Sequence, residues 1–262
     1  MKKQFNLCLE CGEERPDDDR VKIGMKCGFC TYNEKEADRD EVNYKVNIMT
    51  ITIITDCKDD NALVRQKIRY ANLFNTQIFS IGVANDIEAS GNLIDCLDAY
   101  GECEGIIVVN VAPRSGSKNG SDFGYFRYKK ILVVATIDDY CLSLIKKLDL
   151  ISIIKLIKED FKGQFRSYTD LPQIVYDLFF EVGNVRSKSI LLKDVVKDIP
   201  EYVWWIDNFG NQKTTMLEVS KEKEHIFYET LADAPINYPC YVRGSSGIGD
   251  KRFIELVRKY EK

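Results

Sequence analysis

Four cysteines carry the clearest chemistry in the chain: Cys8-x2-Cys11 and, fifteen residues further on, Cys27-x2-Cys30. Two residues between paired cysteines let both thiolates reach one ion from a tight turn, and two such pairs complete a tetrahedral S4 shell. Four sulfurs leave no open position for a substrate water, so the expected site is a structural zinc in a ribbon. Ribbons that grip nucleic acid need Lys and Arg for the phosphates. Here the loop between the pairs reads EERPDDDR, and residues 1–46 hold nine Lys/Arg against eleven Asp/Glu. A structural or protein-docking ribbon is therefore expected rather than a nucleic-acid one. The charged stretch that follows, NEKEADRDEVNYK, has no apolar period and reads as a linker, so residues 1–45 form the first division of the chain.

The other groups with chemical potential sit at the ends of apolar runs. VNIMTITIIT is a β-branched run ending at Asp56 and reads as a buried strand. A helix is expected over DDNALVRQKIRYANLF, with Asp59 or Asp60 as N-cap and Leu63, Ile68 and Leu73 on its apolar side. QIFSIGV, GIIVVNV and ILVVATI read as further strands. Helices are expected at SGNLIDCLDAY with Ser90 as cap, at DDYCLSLIKKL, and at LPQIVYDLFFEVGN with Pro172 in the first turn. Alternating strands and helices predict a mostly parallel α/β sheet, covered on both faces, over residues 46–186. Ligands of such sheets bind at the carboxyl ends of the strands. That rule places Asp56, the loop 112–120 and Asp138/Asp139 at the expected binding rim.

From residue 187 to 262 the segments YVWWID, KTTMLEV, HIFYETL, CYVRG and FIELV are short, β-branched or aromatic, and separated by turn residues. They predict a small antiparallel, barrel-like β domain, with Phe209-Gly210-Asn211 as its first turn. His225 is the only histidine in 262 residues, which leaves a Ser-His-Asp triad without a base. No apolar run approaches the ~18–20 residues of a membrane helix, and the N-terminus lacks the apolar core of a signal peptide. Paired C-x-x-C motifs within an odd total of nine cysteines favour a reducing compartment, so a cytoplasmic protein is expected, with Cys57, Cys96, Cys103, Cys141 and Cys240 as buried free thiols. A net charge of −4 gives no general attraction to nucleic acid or anionic membrane.

Several of these segments, in this order, resemble the S-adenosylmethionine hydroxide adenosyltransferase and halogenase family. Ile-Thr-Ile-Ile-Thr55-Asp56 is similar to the family's opening strand. Trp-Trp-Ile206-Asp207-Asn-Phe209-Gly210-Asn211-Gln-Lys-Thr214 resembles its Ile-Asp-x-Phe-Gly-Asn-x-x-Thr signature. Gln-Phe165-Arg166-Ser167, followed by Leu171-Pro172 and an apolar helix, resembles the end of its first domain. The resemblance spans about residues 47–220 and implies an α/β domain followed by a barrel. It also implies a homotrimer whose adenosyl pocket lies between one subunit's first domain and its neighbour's second. On this resemblance Asp56 anchors the ribose, and Asp207, Phe209 and Asn211 hold the rest of the S-adenosylmethionine.

The water-using branch of that family activates its nucleophile with Asp, Arg and His; the matching positions here are Ala112, Asn119 and Arg166. The halogenase branch places small hydroxyls where Ser115 and Ser167 stand. Two expectations follow. One is adenosyl transfer to water or another nucleophile by a route without that triad, with Ser115, Ser167 and Arg166 lining the nucleophile side. The other is a non-catalytic sensor of an adenosyl ligand that docks a partner through its ribbon.

Overall fold

Continuous β-branched runs build the larger of the two sheets among the described residues. In this computed structural model, which describes residues 49–111, 120–161 and 165–260, β1 (Thr50–Thr55), β2 (Ile78–Gly82) and β3 (Gly105–Asn110) run parallel. β4 (Asp122–Tyr128) then turns back antiparallel on β5 (Ile131–Ile137), and β5 lies parallel to β3. β6 (Ile153–Ile157) and β7 (Ser187–Leu191) extend the antiparallel side, giving the order β2-β1-β3-β5-β4-β6-β7. The sheet is thus mixed, parallel in one half and antiparallel in the other, rather than mostly parallel. Cys8, Cys11, Cys27, Cys30, Ala112, Ser115 and Asn119 lie outside the described residues.

Among the described residues five α-helices accompany it: α1 (Asp60–Phe74), α2 (Asp86–Tyr100), α3 (Ser143–Lys147), α4 (Arg166–Thr169) and α5 (Leu171–Phe180). Successive strand residues point to opposite faces, so runs that are apolar throughout require cover on both. Ile51, Ile53, Ile106 and Val108 pack with Tyr70 and Phe74 of α1 and Leu171, Ile174 and Val175 of α5. Ile54, Ile107 and Val109 pack with Leu93, Ile94 and Leu97 of α2 and Leu144 and Ile145 of α3. Asp59 caps α1, its carboxylate accepting from Ala62 N at 2.9 Å. The helix buries Gln66, Tyr70 and Phe74, a strict i, i+4 stripe, and leaves Ile68 53% exposed, contrary to the expected apolar side.

The second sheet comprises β8 (Val203–Ile206), β9 (Gln212–Thr214), β10 (Phe227–Tyr228), β11 (Pro239–Ile248) and β12 (Lys251–Arg258), in the order β10-β11-β12-β9-β8. It is antiparallel except for the β10–β11 pair. It begins at Val203, because Ser187–Leu191 belongs to the larger sheet. His225 lies in a 3-10 turn, Lys221–Ile226, just before β10. Both sheets fall within one compact unit, Ile48–Lys262. No helix among the described residues is long and apolar enough to cross a membrane.

α2 joins the sheets. Asn85, not Ser90, is its N-cap, accepting from Glu88 N at 2.9 Å. Ser90 is buried in the second turn, where its Oγ accepts from Leu144 N at 3.0 Å. One residue on, Gly91 lies against Trp204 of β8: a Cβ placed there would sit 2.2 Å from the indole ring. Trp204 is fully buried, and its indole N–H donates to Thr214 O at 3.1 Å, so the ring has nowhere to retreat. Gly91→Ala is therefore expected to destabilise the fold by about 2 kcal/mol through overpacking, read as a lower urea midpoint at unchanged slope.

Candidate functional site

β1 closes on Thr55 and β3 on Asn110, and Thr136 is the last residue but one of β5; these residues stitch the carboxyl rim together. Asp56 N donates to Asn110 O at 3.3 Å, and Cys57 N donates to Thr55 Oγ1 at 3.1 Å. Val111 N donates to Thr136 Oγ1 at 3.3 Å, and Val83 N to Thr55 O at 2.9 Å. Asp56 therefore occupies the rim position expected for it, directly beyond β1.

The rim carries more negative charge than the sequence reading assigned to it. Asp86, at the start of α2, accepts from Tyr140 N at 3.0 Å. Desolvation raises its carboxyl, and the Asp138 charge adds to the rise against the backbone hydrogen bonds. Burial pushes the Cys141 thiol up to about 12, opposed by its contact with Thr136 and reinforced by the charges of Asp86, Asp138 and Asp56. The charges of Asp86, Asp138 and Asp56 are thus all felt at the buried Cys141 thiol. Among the described residues no group of three or more His, Cys, Asp or Glu side chains is arranged to hold a metal ion. The signal for Asn110 and Thr136 was present in the sequence as the polar residues near the ends of GIIVVN and ILVVATI.

Arg166 approaches the same rim from α4. Its Nη2 donates to Ser121 O at 3.0 Å, and its guanidinium stands 5.7 Å from the Phe123 ring centroid and 5.1 Å from that of Phe161. Ser121 precedes β4, whose Asp122 pairs with Ile137 at the carboxyl end of β5, which fixes the level of Arg166. Gly120, at φ +89°, makes room for it, since a Cβ there would lie 2.5 Å from Arg166 Nη2. Ser167 follows on the same short helix and is half-buried. Beside Ser121 a cavity of about 280 Å³ is lined by Gly120, Asp122, Ile137, Leu156, Ile190 and Val195.

Asp207 and Asn211 form one unit rather than two separate ligand-holding groups. Asp207 Oδ1 accepts from Phe209 N at 2.8 Å and Asn211 N at 2.9 Å, and Oδ2 accepts from Asn211 Nδ2 at 3.0 Å. Gly210 takes φ +84°, which permits this tight turn between β8 and β9. Desolvation pushes the Asp207 carboxyl up, but the bonds from Asn211 and Phe209 and the Lys213 charge outweigh it and hold it below the usual carboxylate value. A carboxylate offers about four lone-pair sites, so one further donor can still be received. Phe209, at the tip, is 75% exposed.

No protein-family profile matches the chain, and no curated protein matches it. Among solved structures, it is similar to an uncharacterized conserved protein from Thermotoga maritima, at 16% identity and TM-score 0.54, over 79% of this chain and 92% of that one. It is also similar to a conserved hypothetical protein from Thermus thermophilus, at 15% identity and TM-score 0.58, over 80% of this chain and 92% of that one. At these identities the likeness is one of fold.

The thiols give a direct probe of the rim. Exposed Cys103 is expected to react with a maleimide at mildly alkaline pH. Cys141, and Cys96, which burial also pushes up to about 12, are expected to stay unmodified until the chain is denatured. Peptide mass spectrometry reads the order, and early labelling of Cys141 would refute the closed rim.

Proposed function

We propose that the chain binds S-adenosylmethionine and cleaves or substitutes the bond between the ribose C5′ and the sulfur. The observation that carries this reading is the acidic rim at the ends of parallel strands. Asp56, Asp86 and Asp138, whose charges all act on Cys141, favour a cationic nucleoside over one bearing phosphates. A sulfonium is such a cation, and it leaves as a neutral thioether that keeps the bonding electron pair. In this reading Asp56 accepts from the ribose hydroxyls, and the Asp207–Asn211 turn receives the ammonium of the methionine part beside Phe209. Arg166 and Ser167 line the nucleophile side, together with Ser115. With Ala112, Asn119 and Arg166 at the activating positions of the water-using relatives, rate would come from alignment and desolvation rather than acid–base help.

The pocket is read as shared within a homotrimer. The exposed Phe209 and the 61% exposed Ile206 suit a neighbour's rim. The second reading, a non-catalytic adenosyl sensor, is favoured by the seating of Arg166 on a carbonyl and two aromatic faces, which gives no base for activating water.

Incubation with S-adenosylmethionine, followed by chromatography for methionine and for adenosine or a 5′-substituted adenosine, separates the two readings. Turnover is expected. Binding without products selects the sensor, and neither binding nor products refutes both. Asp56→Ala is expected to lower kcat/KM by about 10–100-fold, the equivalent of ~1.5–3 kcal/mol for charge-assisted hydrogen bonds.

The zinc ribbon belongs to the same proposal, with Cys8, Cys11, Cys27 and Cys30 as ligands. Metal analysis of purified protein is expected to give one zinc per chain, lost in Cys8→Ser/Cys11→Ser. Less than half an equivalent in the unmutated protein would refute it.

A further inference from the structure

Four other arginines of the described residues pair with carboxylates. Arg127 pairs with Glu181, Arg186 with Glu159 and Asp160, Arg243 with Glu229, and Arg252 with Asp98. Arg65 and Arg69 do not: no carboxylate of the described residues lies within ion-pair distance of either. Both guanidiniums instead converge on one phenol, standing 4.6 Å and 4.7 Å from the ring centroid of Tyr168. They are one turn apart on α1, so both side chains leave the same face of a fifteen-residue helix. Tyr168 comes from a separate element, α4. Both arginines are exposed, and a solute can reach them.

The Tyr168 hydroxyl is held below the usual phenol value by hydrogen bonding from Arg69 and Arg65 and by their charges. The two cations therefore bear on the phenol oxygen as well as on the ring. Two positive charges and a hydroxyl donor, brought together without a counter-charge among the described residues, describe the receiving half of an anion site. A guanidinium offers a planar fork of N–H donors suited to two oxygens of one group. A halide offers a single point, and a carboxylate fills one fork only. A tetrahedral phosphoryl dianion has enough oxygens for both forks and for the hydroxyl.

We propose that Arg65, Arg69 and Tyr168 form a phosphate-recognition site, occupied by free phosphate or by the phosphoryl group of a phosphate monoester. It lies apart from the adenosyl chemistry proposed above and does not depend on it. The Arg–phenol stack orients the two forks before the anion arrives, so little side-chain ordering remains to be done on binding. The interaction is exposed, and its strength falls as salt rises.

The test is calorimetric titration of the full-length protein in a phosphate-free chloride buffer, first with inorganic phosphate and then with methyl phosphate. Saturable binding of at least one is expected. Equal affinities assign the site to free phosphate, and binding of methyl phosphate alone assigns it to a phosphorylated molecule. The double variant Arg65→Gln/Arg69→Gln is expected to weaken binding by about tenfold or more, with an unchanged circular dichroism spectrum and melting temperature. Arg65→Lys/Arg69→Lys, which keeps the charge but loses the forks, is expected to fall between the two. Absence of saturable binding to both probes, or equal affinity in the unmutated protein and the glutamine variant, overturns the proposal.

Discussion

The contact between Gly91 and Trp204 holds the two sheets as one body. The second sheet has little interior of its own: Ala234, Cys240, Val242 and Val257 make up its separate cluster. Its large apolar groups go elsewhere. Phe253 of β12 is buried in the core of the larger sheet, and Trp204 of β8 lies on the backbone of α2. An indole can approach a helix this closely only where the Cβ is missing, so a single glycine sets the distance between the layers. Polar contacts lock the same helix from the side. Asp95 accepts from Lys213 Nζ and Ser246 Oγ, both at 2.9 Å. One turn on, Asp98 receives both terminal nitrogens of Arg252, at 2.7 Å and 3.3 Å. These half-buried, charge-assisted bonds fix the register of the β11–β12 hairpin against α2, which apolar contact alone leaves free to slide.

That anchorage reaches the candidate site. Asp207 follows Trp204 by three residues, so the turn carrying it starts from a fully immobilised side chain. Its carboxylate then uses three acceptor sites on its own turn. The result is a stiff loop with one aromatic residue, Phe209, at the tip. At the other sheet, the rim gains its stiffness from hydroxyl-to-backbone bonds at Thr55 and Thr136. Rigid supports of this kind are what a mechanism based on alignment would need, because small misplacements of reacting groups slow a reaction steeply.

How much of this could be read from the chain depends on whether one residue type dominates a position. β1, β3 and β5 were legible because four or more consecutive β-branched or aliphatic residues are best buried in a two-sided sheet. β4, β6 and β7 were not. DFGYFRY mixes aromatic and charged residues, and IIKLI and SKSIL are short strands near the sheet edge with exposed positions. The start of α2 was misplaced because Ser90 is a good cap by type, whereas Asn85 satisfies the helix end and Ser90 serves Leu144. Sequence pattern placed Asp56 at a strand end and, through the resemblance, pointed to Asp207 and Asn211. It could not show that Asp207 and Asn211 bond each other, nor that Asp86 joins the rim from a helix start thirty residues after Asp56.

Charge sorting by place ties these features together. The charges of Asp56, Asp86 and Asp138 are felt together at Cys141, and desolvation works against the ionised form of Asp86. A cationic ligand is stabilised there by the same field that repels phosphate. Cations reach this rim too, but each is already engaged: Arg166 is seated against Ser121 and Lys197 pairs with Asp139, while Arg65 and Arg69 converge on Tyr168. A nucleoside triphosphate or dinucleotide would have to lay its phosphates along the acidic rim, which is opposite to the arrangement that helix N-termini and glycine-rich loops provide in phosphate-binding α/β folds. A sulfonium nucleoside meets no such conflict. Under the proposed function its charge disappears as the C5′–sulfur bond breaks, so the carboxylates hold the substrate more strongly than either neutral product. That favours release of products, while acceleration must come from how the attacking group is aligned and stripped of water.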